Sequence, residues 1–332
     1  MTGANVATCE LDPEIAIFVE RMTRAWASYP PFTSVPLLEA RAIGEIVRAP
    51  WTQGGPVMAS TSEREVPTSA GPLRVRVYNP GVTEPAGMLI YVHGGGWTLF
   101  SIDTHDRLMR EYAAAGGFIV IGVDYPLSPE ARYPVALNGI VDLVDWLLDG
   151  GAREIGGDPA RIAIGGDSAG ANLSLATALR LRDRGSPGVI AGTLLNYGAF
   201  SRNCSDDAEA RYGGPGSVLD RAEVEYYFAN YLGTDAALAS DPYACPIVAD
   251  CTGLPPAFLV IPECDILSEQ SHAMALRLVA AGVAADARLY AGATHSFLEA
   301  MSVAEVARQA IADGAEWVKA RLAMPAMSEP AR

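Results

Sequence analysis

The chain has 332 residues, half of them hydrophobic and 19% charged, which is enough apolar material for a sizeable core and excludes global disorder. Its formal net charge of −15 excludes a phosphate-backbone binder, which needs clustered Lys and Arg, and disfavours an anionic membrane surface. The acidity suits solubility, and a soluble enzyme or small-molecule binder fits.

The first residues carry Glu10, Asp12 and Glu14 and no uninterrupted apolar run, so no signal peptide is expected. No window reaches the ~18 apolar residues of a membrane span. Residues 13–28 place Ile15, Phe18, Val19, Met22 and Trp26 on one helical stripe, with Pro13 suited to the start and Pro30-Pro31 as the stop. A second helix is expected from Leu37 to Val47, followed by an irregular segment, 49–62.

From Glu63 the period changes. Glu63 to Thr68 and Leu73 to Tyr78 alternate polar and apolar residues, as half-buried antiparallel strands do. Continuous apolar runs follow at 88–92, 118–123, 162–164, 189–195, 257–261 and 287–290, the mark of strands buried on both faces. Helical segments at about 103–115, 136–149, 169–184, 268–282 and 300–322 lie between and after them. Strands alternating with helices predict an α/β fold, a mostly parallel sheet of about eight strands with helices on both faces. Residues 198–250 break the rhythm with Gly213-Gly214-Pro215-Gly216 and an aromatic helix candidate, Leu219 to Leu232. An insertion there would sit as a lid over the C-terminal edge of the sheet.

Five cysteines, Cys9, Cys204, Cys245, Cys251 and Cys264, are scattered and odd in number. With no C-x-x-C and no histidine at zinc-ligand spacing, no metal site is expected. Reduced thiols in a cytoplasmic protein are the expectation, with a Cys245–Cys251 pair left open.

The segment Gly166-Asp167-Ser168-Ala169-Gly170 has the form G-x-S-x-G between the apolar run Ile162-Ala163-Ile164 and the helix from Ala171. A serine on a sharp strand-to-helix turn is presented for nucleophilic attack, and flanking glycines avoid Cβ collisions. A serine hydroxyl needs a histidine base oriented by a carboxylate. Of the four histidines, His93 and His105 precede the serine and His272 lies in a helix, whereas His295 follows the last strand in the loop 291–297. The acid is expected after the strand Ala257 to Ile261: Asp265, with Glu263 as its competitor and, failing that, a supporting hydrogen-bond partner.

Acyl transfer also needs donors for a developing oxyanion. His93-Gly94-Gly95-Gly96-Trp97 follows the buried strand directly, so the amides of Gly94 and Gly95, with that of Ala169, are the candidates. A phosphate-binding turn is the competing reading, but neither G-x-G-x-x-G nor a Walker lysine is present. His93 reads as an anchor of this loop. Trp97, Phe100, Phe200, Tyr226 and Tyr227 are candidates to line a substrate pocket, although the helical spacing of 226–228 suits packing within the lid better.

These motifs together resemble the hormone-sensitive-lipase-like branch of the α/β-hydrolases, the bacterial family IV esterases, over about residues 10–320. The resemblance rests on His93 to Trp97, on Asp124-Tyr125-Pro126-Leu127-Ser128-Pro129-Glu130, on the Ser168 elbow, on Glu263-Cys264-Asp265-Ile266-Leu267 and on the His295 loop. The elbow is similar to that of the GDSAG subgroup. The family commonly has arginine and alanine at the positions of Pro126 and Ser128, a departure that touches local packing. Asp124 and Glu130 are expected to bond backbone amides of neighbouring loops.

The resemblance implies an α/β-hydrolase fold with a helical cap: residues 1–50 as N-terminal cap helices, 198–240 as cap insertion, 51–197 and 241–324 as catalytic domain, and 325–332 as a flexible tail. It further implies hydrolysis of short- to medium-chain acyl esters, with a small-molecule ester as partner, no nucleic acid or membrane, and no cofactor. Monomer and homodimer remain open. Amidase, lactonase and lipase activities stay compatible, as does a non-catalytic small-molecule receptor on the same fold.

Overall fold

The structure, a computed structural model, describes residues 9–214 and 216–323; the expected tail, 325–332, lies outside them. The chain runs through α1 (Pro13–Trp26), α2 (Leu37–Arg48), β1 (Ser60–Thr68), β2 (Gly71–Asn79), β3 (Ala86–Val92), α3 (Asp106–Gly116) and β4 (Ile119–Asp124). It continues through α4 (Val135–Trp146), the short α5 (Ala152–Glu154), β5 (Gly157–Asp167), α6 (Ala169–Asp183), β6 (Ile190–Asn196), α7 (Asp206–Tyr212) and α8 (Arg221–Leu232). Then come β7 (Ala257–Cys264), α9 (Ser268–Ala280), β8 (Ala285–Thr294) and α10 (Glu305–Leu322). Among the described residues no helix is long and apolar enough to cross a membrane.

All eight strands join one sheet in the order β1-β2-β4-β3-β5-β6-β7-β8. β1 and β2 pair antiparallel, as does β2 with β4, and every later pair is parallel. The apolar runs explain the parallel half: Met88 to Val92 and Ile119 to Val123 are buried throughout because helices cover both faces. One core, with Ile90, Ile121 and Ile164, packs beneath α4 and α6; a second, with Leu89, Val120 and Phe258, packs beneath α3 and α10; a third, with Leu195, Leu259 and Ile261, packs against α6 and α9. The last helix starts later than its periodicity predicts, at Glu305, because Phe297–Ser302 winds into a tight 3-10 turn first.

α1 shows how sequence sets one element. Asp12 caps it by accepting from the amides of Glu14 (2.8 Å) and Ile15 (3.2 Å), and Pro13 occupies the first turn. Its buried stripe is Ile15, Phe18 and Met22, while Val19 and Trp26 remain half-buried.

Two expectations need correction. Cys9 and Cys264 are joined in a disulfide across 255 residues, whereas Cys204, Cys245 and Cys251 are free. The topology brings the N-terminal arm to the end of β7, a proximity that cysteine spacing does not encode. Burial pushes the Cys204 thiol up to about 12 and the Cys245 thiol up to about 11, so neither is a thiolate at neutral pH. Asp124 and Glu130 chiefly meet arginines rather than loop amides: Asp124 faces Arg74 (3.2 Å), and Glu130 accepts twice from Arg41 (3.0 and 2.7 Å). Arg41 also donates to the carbonyls of Thr98 and Ser128, so this cluster ties α2 to the loops after β3 and β4.

Candidate active site

Sheet register decides what meets what. Val92 pairs with Gly166, which sets the His93–Trp97 loop beside the turn after β5. Cys264 pairs with Thr294, so the next residues, Asp265 and His295, leave the sheet side by side. Ser168 adopts φ +53° and ψ −116°, a strained conformation for a non-glycine residue. Its flanking glycines are sterically required: a Cβ on Gly166 would lie 2.1 Å from the Val92 carbonyl oxygen, and one on Gly170 would lie 1.9 Å from it.

Ser168, Asp265 and His295 come together. The Ser168 Oγ lies 3.1 Å from His295 Nε2, and His295 Nδ1 lies 2.9 Å from Asp265 Oδ2. The second oxygen of Asp265 accepts from the Leu267 amide at 3.0 Å, which fixes the carboxylate's orientation. A carboxylate on Nδ1 favours the tautomer with its proton there and leaves Nε2 as the acceptor toward Ser168. The Tyr197 ring packs edge-on against the imidazole, with centroids 5.1 Å apart. Glu263, the competing acid, turns away and accepts from the Gly292 amide at 2.9 Å. His272 is exposed on α9.

The residue before the serine organises a buried polar cluster. Asp167 accepts from Tyr91 Oη (3.0 Å), from the Gly94 amide (3.2 Å) and from His105 Nε2 (3.3 Å). Burial alone would raise its pKa, but the His105 imidazolium and the bonds from His105 and Tyr91 outweigh it and hold the carboxyl below the usual range. His105 shows the reverse balance: burial lowers it, and Asp167 carries it above the ordinary imidazole value. His93 is buried, stacks on Tyr125 at 4.3 Å and sits with Nδ1 2.7 Å from the Gly94 carbonyl oxygen. Burial drives its pKa down to about 3, so it is a neutral anchor.

The Gly94 amide is therefore committed to Asp167. Gly95 and Gly96 instead line the cavity with Ser168, and their amides have no hydrogen-bond acceptor among the described residues. The unbonded amides of this loop are thus those of Gly95 and Gly96, one residue later than the Gly94 and Gly95 pair expected from the sequence. Gly95 turns the chain with φ +109°, a conformation open to glycine alone.

A cavity of about 540 Å³ opens over Ser168 and His295. Of the five candidate pocket aromatics, Trp97, Phe100 and Tyr227 line it. Phe200 does not; it is buried in the core beside β6 and β7. Tyr226 also lies outside the lining and packs edge-on against Phe32. Met22 and Trp26 of α1 and Phe32 complete one wall, and Phe32 stacks on Tyr227 of α8 at 5.8 Å.

The sequence reading missed four charged residues of this cavity, Arg48, Asp220, Glu223 and Glu299. Arg48, at the end of α2, forms a buried ion pair with Glu299, and its guanidinium lies 4.6 Å from the Phe100 ring centroid. A glutamate inside the apolar stretch Phe297 to Met301 was the available signal. Glu223 also faces the cavity and caps α8 reciprocally with Asp220. Burial first, then the charge of Asp220, raises its carboxyl to about 7.

Comparison with known proteins places the fold. A family described as alpha/beta hydrolase fold matches residues 89–299. An esterase of the hyperthermophilic archaeon Pyrobaculum calidifontis is 31% identical, with a TM-score of 0.86 over 94% of this chain and 98% of that one. A thermostable esterase from Pseudomonas putida is 26% identical, with a TM-score of 0.88 over 96% of this chain and 99% of its own. A thermophilic carboxylesterase cloned from a metagenomic library is 29% identical, with a TM-score of 0.83 over 87% and 99%. On the family match, the shared sheet and the serine elbow at its C-terminal edge, the chain belongs to the alpha/beta hydrolase fold family, in its hormone-sensitive-lipase-like (bacterial family IV) branch of carboxylic ester hydrolases.

Proposed function

We propose that the chain is a serine carboxylesterase of the GDSAG subgroup in which Ser168 is the nucleophile, His295 the general base and Asp265 its orienting acid. The observation that carries this reading is the continuous chain Ser168 Oγ to His295 Nε2 to Asp265, at 3.1 and 2.9 Å, on a residue held at positive φ. Ser168 attacks the ester carbonyl while His295 Nε2 takes its proton. The tetrahedral oxyanion is met by the amides of Gly95, Gly96 and Ala169, the last at the first turn of α6, where no intrahelical acceptor competes for it. His295 then protonates the leaving alkoxide, and a water activated by the same nitrogen releases the acid.

The cavity supports short- to medium-chain acyl esters, because about 540 Å³ holds a small ester rather than a long-chain lipid. Met22, Trp26 and Phe32 from the N-terminal helices and Tyr227 from the insertion roof it, which supports a cap made of residues 1–50 and 198–240. Pre-steady-state hydrolysis of p-nitrophenyl esters tests the reading. A burst of one nitrophenol per chain is expected, with acetate to hexanoate preferred over palmitate. Ser168→Ala is expected to abolish the burst and lower kcat by roughly 10⁴-fold or more. An undiminished burst in that variant would overturn the assignment.

A further inference from the structure

The Cys9–Cys264 disulfide sits where it can govern the site. Cys264 ends β7 and immediately precedes Asp265. From Cys9 the arm runs three residues to Asp12, whose amide donates to the Gly292 carbonyl oxygen at 3.0 Å. The Gly292 amide in turn donates to Glu263 Oε2 at 2.9 Å, which links the arm to the ends of β7 and β8 that lead into the acid and the base. The contact is close: a Cβ on Gly292 would lie 2.4 Å from the Asp12 nitrogen. Asp12 caps α1, and α1 supplies Met22, Thr23 and Trp26 to the cavity wall. The bond is also reachable. Cys264 is buried, but Cys9 is only half-buried and lines an open cavity of about 620 Å³ beside Arg211, Tyr212 and Glu263.

We propose that this disulfide is a thiol-responsive clasp: it holds α1 against the acid- and base-bearing loops, and its reduction by a dithiol loosens the pocket wall and weakens substrate binding. In the reaction a thiolate of the dithiol attacks the Cys9 sulfur, the S–S bond breaks, and the Cys264 thiolate leaves and takes a proton. The second thiol of the reductant attacks the mixed disulfide and releases Cys9 as a thiol. The dithiol becomes a disulfide, and the protein gains two electrons and two protons. Asp265 keeps its bonds through the Leu267 and Ser268 amides in either state. The effect therefore falls on substrate binding rather than on the acid.

The test compares protein purified without reductant, the same protein after dithiothreitol, and Cys9→Ser. Thiol titration under denaturation establishes the states: three thiols oxidised, as Cys204, Cys245 and Cys251, and all five reduced. KM for p-nitrophenyl butyrate is expected to rise about threefold or more on reduction, with kcat within about twofold, and to return on reoxidation. Cys9→Ser is expected to show the high KM in both conditions, and reduction is expected to speed tryptic cleavage at Arg21 and Arg24 of α1. Five thiols before reduction, an unchanged KM after verified reduction, or a Cys9→Ser variant with the oxidised KM would each overturn the clasp. The proposal rests on the esterase reading, yet the two fail differently: without the esterase mechanism no turnover is seen in either state, and without the clasp turnover is equal in both.

Discussion

Asp167→Asn is the sharpest probe of the buried cluster behind the nucleophile. The wild-type carboxylate is 2% exposed and accepts three hydrogen bonds, at 3.0, 3.2 and 3.3 Å. An amide keeps the shape but removes the charge that faces His105. Breaking a buried pair from one side costs about 3–5 kcal/mol; the lower end applies here, about 3 kcal/mol, since His105 is able to shed its proton and accept from the new amide. The Gly94 anchor also weakens, and a displacement of a fraction of an ångström in the following glycines is expected to lower kcat by about tenfold. Urea unfolding at several pH values, beside kcat, measures both. His105 has a raised folded pKa, so the stability it contributes is present below its unfolded value and lost as pH rises through the raised one. The penalty of Asp167→Asn is therefore expected to shrink as pH rises from the ordinary imidazole value through the raised one. A penalty below about 1 kcal/mol at pH 6 with unchanged kcat would refute a charged anchor at this position.

Three further expectations concern the cavity and the acid. Glu299→Gln strands the Arg48 guanidinium, 4% exposed, and is expected to cost about 3–5 kcal/mol in urea unfolding. The double variant Arg48→Met, Glu299→Leu is expected to recover most of that loss; equal losses in both would contradict a buried pair. Asp265→Asn is expected to lower kcat by roughly 10⁴-fold, and Glu263→Gln by less than about tenfold, in p-nitrophenyl butyrate hydrolysis; the reverse order would reassign the acid. For Glu223, raised from 4.5 to about 7, folding favours the protonated form. Its contribution to stability is present below about pH 4.5 and lost as pH rises through about 7, roughly 3 kcal/mol in all. The wild type should lose most of that, about 2.5 kcal/mol, relative to Glu223→Gln between pH 5 and pH 8 in urea unfolding, and parallel pH profiles would contradict the buried carboxyl.

Much of the fold was legible because strands buried on both faces leave uninterrupted apolar runs, and the six such runs and the two alternating segments all coincide with strands; the run at 287–290 is the exception in burial, since β8 is the sheet edge and leaves 287–289 exposed. The serine elbow was legible because its glycines answer a local steric demand at the Val92 carbonyl. What stayed hidden depends on non-local contacts. Three glycines in a row look alike in sequence, and only the Asp167 carboxylate, 73 residues downstream, decides that Gly94 is the bound amide and Gly95 and Gly96 the free ones. Asp265 and Glu263 both end the same strand, and the Cys264–Thr294 register and the Gly292 amide separate their roles. Phe200 looked like a pocket aromatic but turns into the core beside β6 and β7. The Arg48–Glu299 pair and the Cys9–Cys264 bond join opposite ends of the chain, a relation that spacing cannot carry.

The central claim is that Ser168 becomes acylated under the control of His295. Intact-mass and peptide mapping after brief exposure to a fluorophosphonate ester tests it without reference to any natural substrate. A single adduct on the peptide bearing Ser168 is expected in the wild type, with labelling slowed by roughly 10³-fold or more in His295→Ala. An adduct on another residue, or equal labelling rates in the two proteins, would contradict the account.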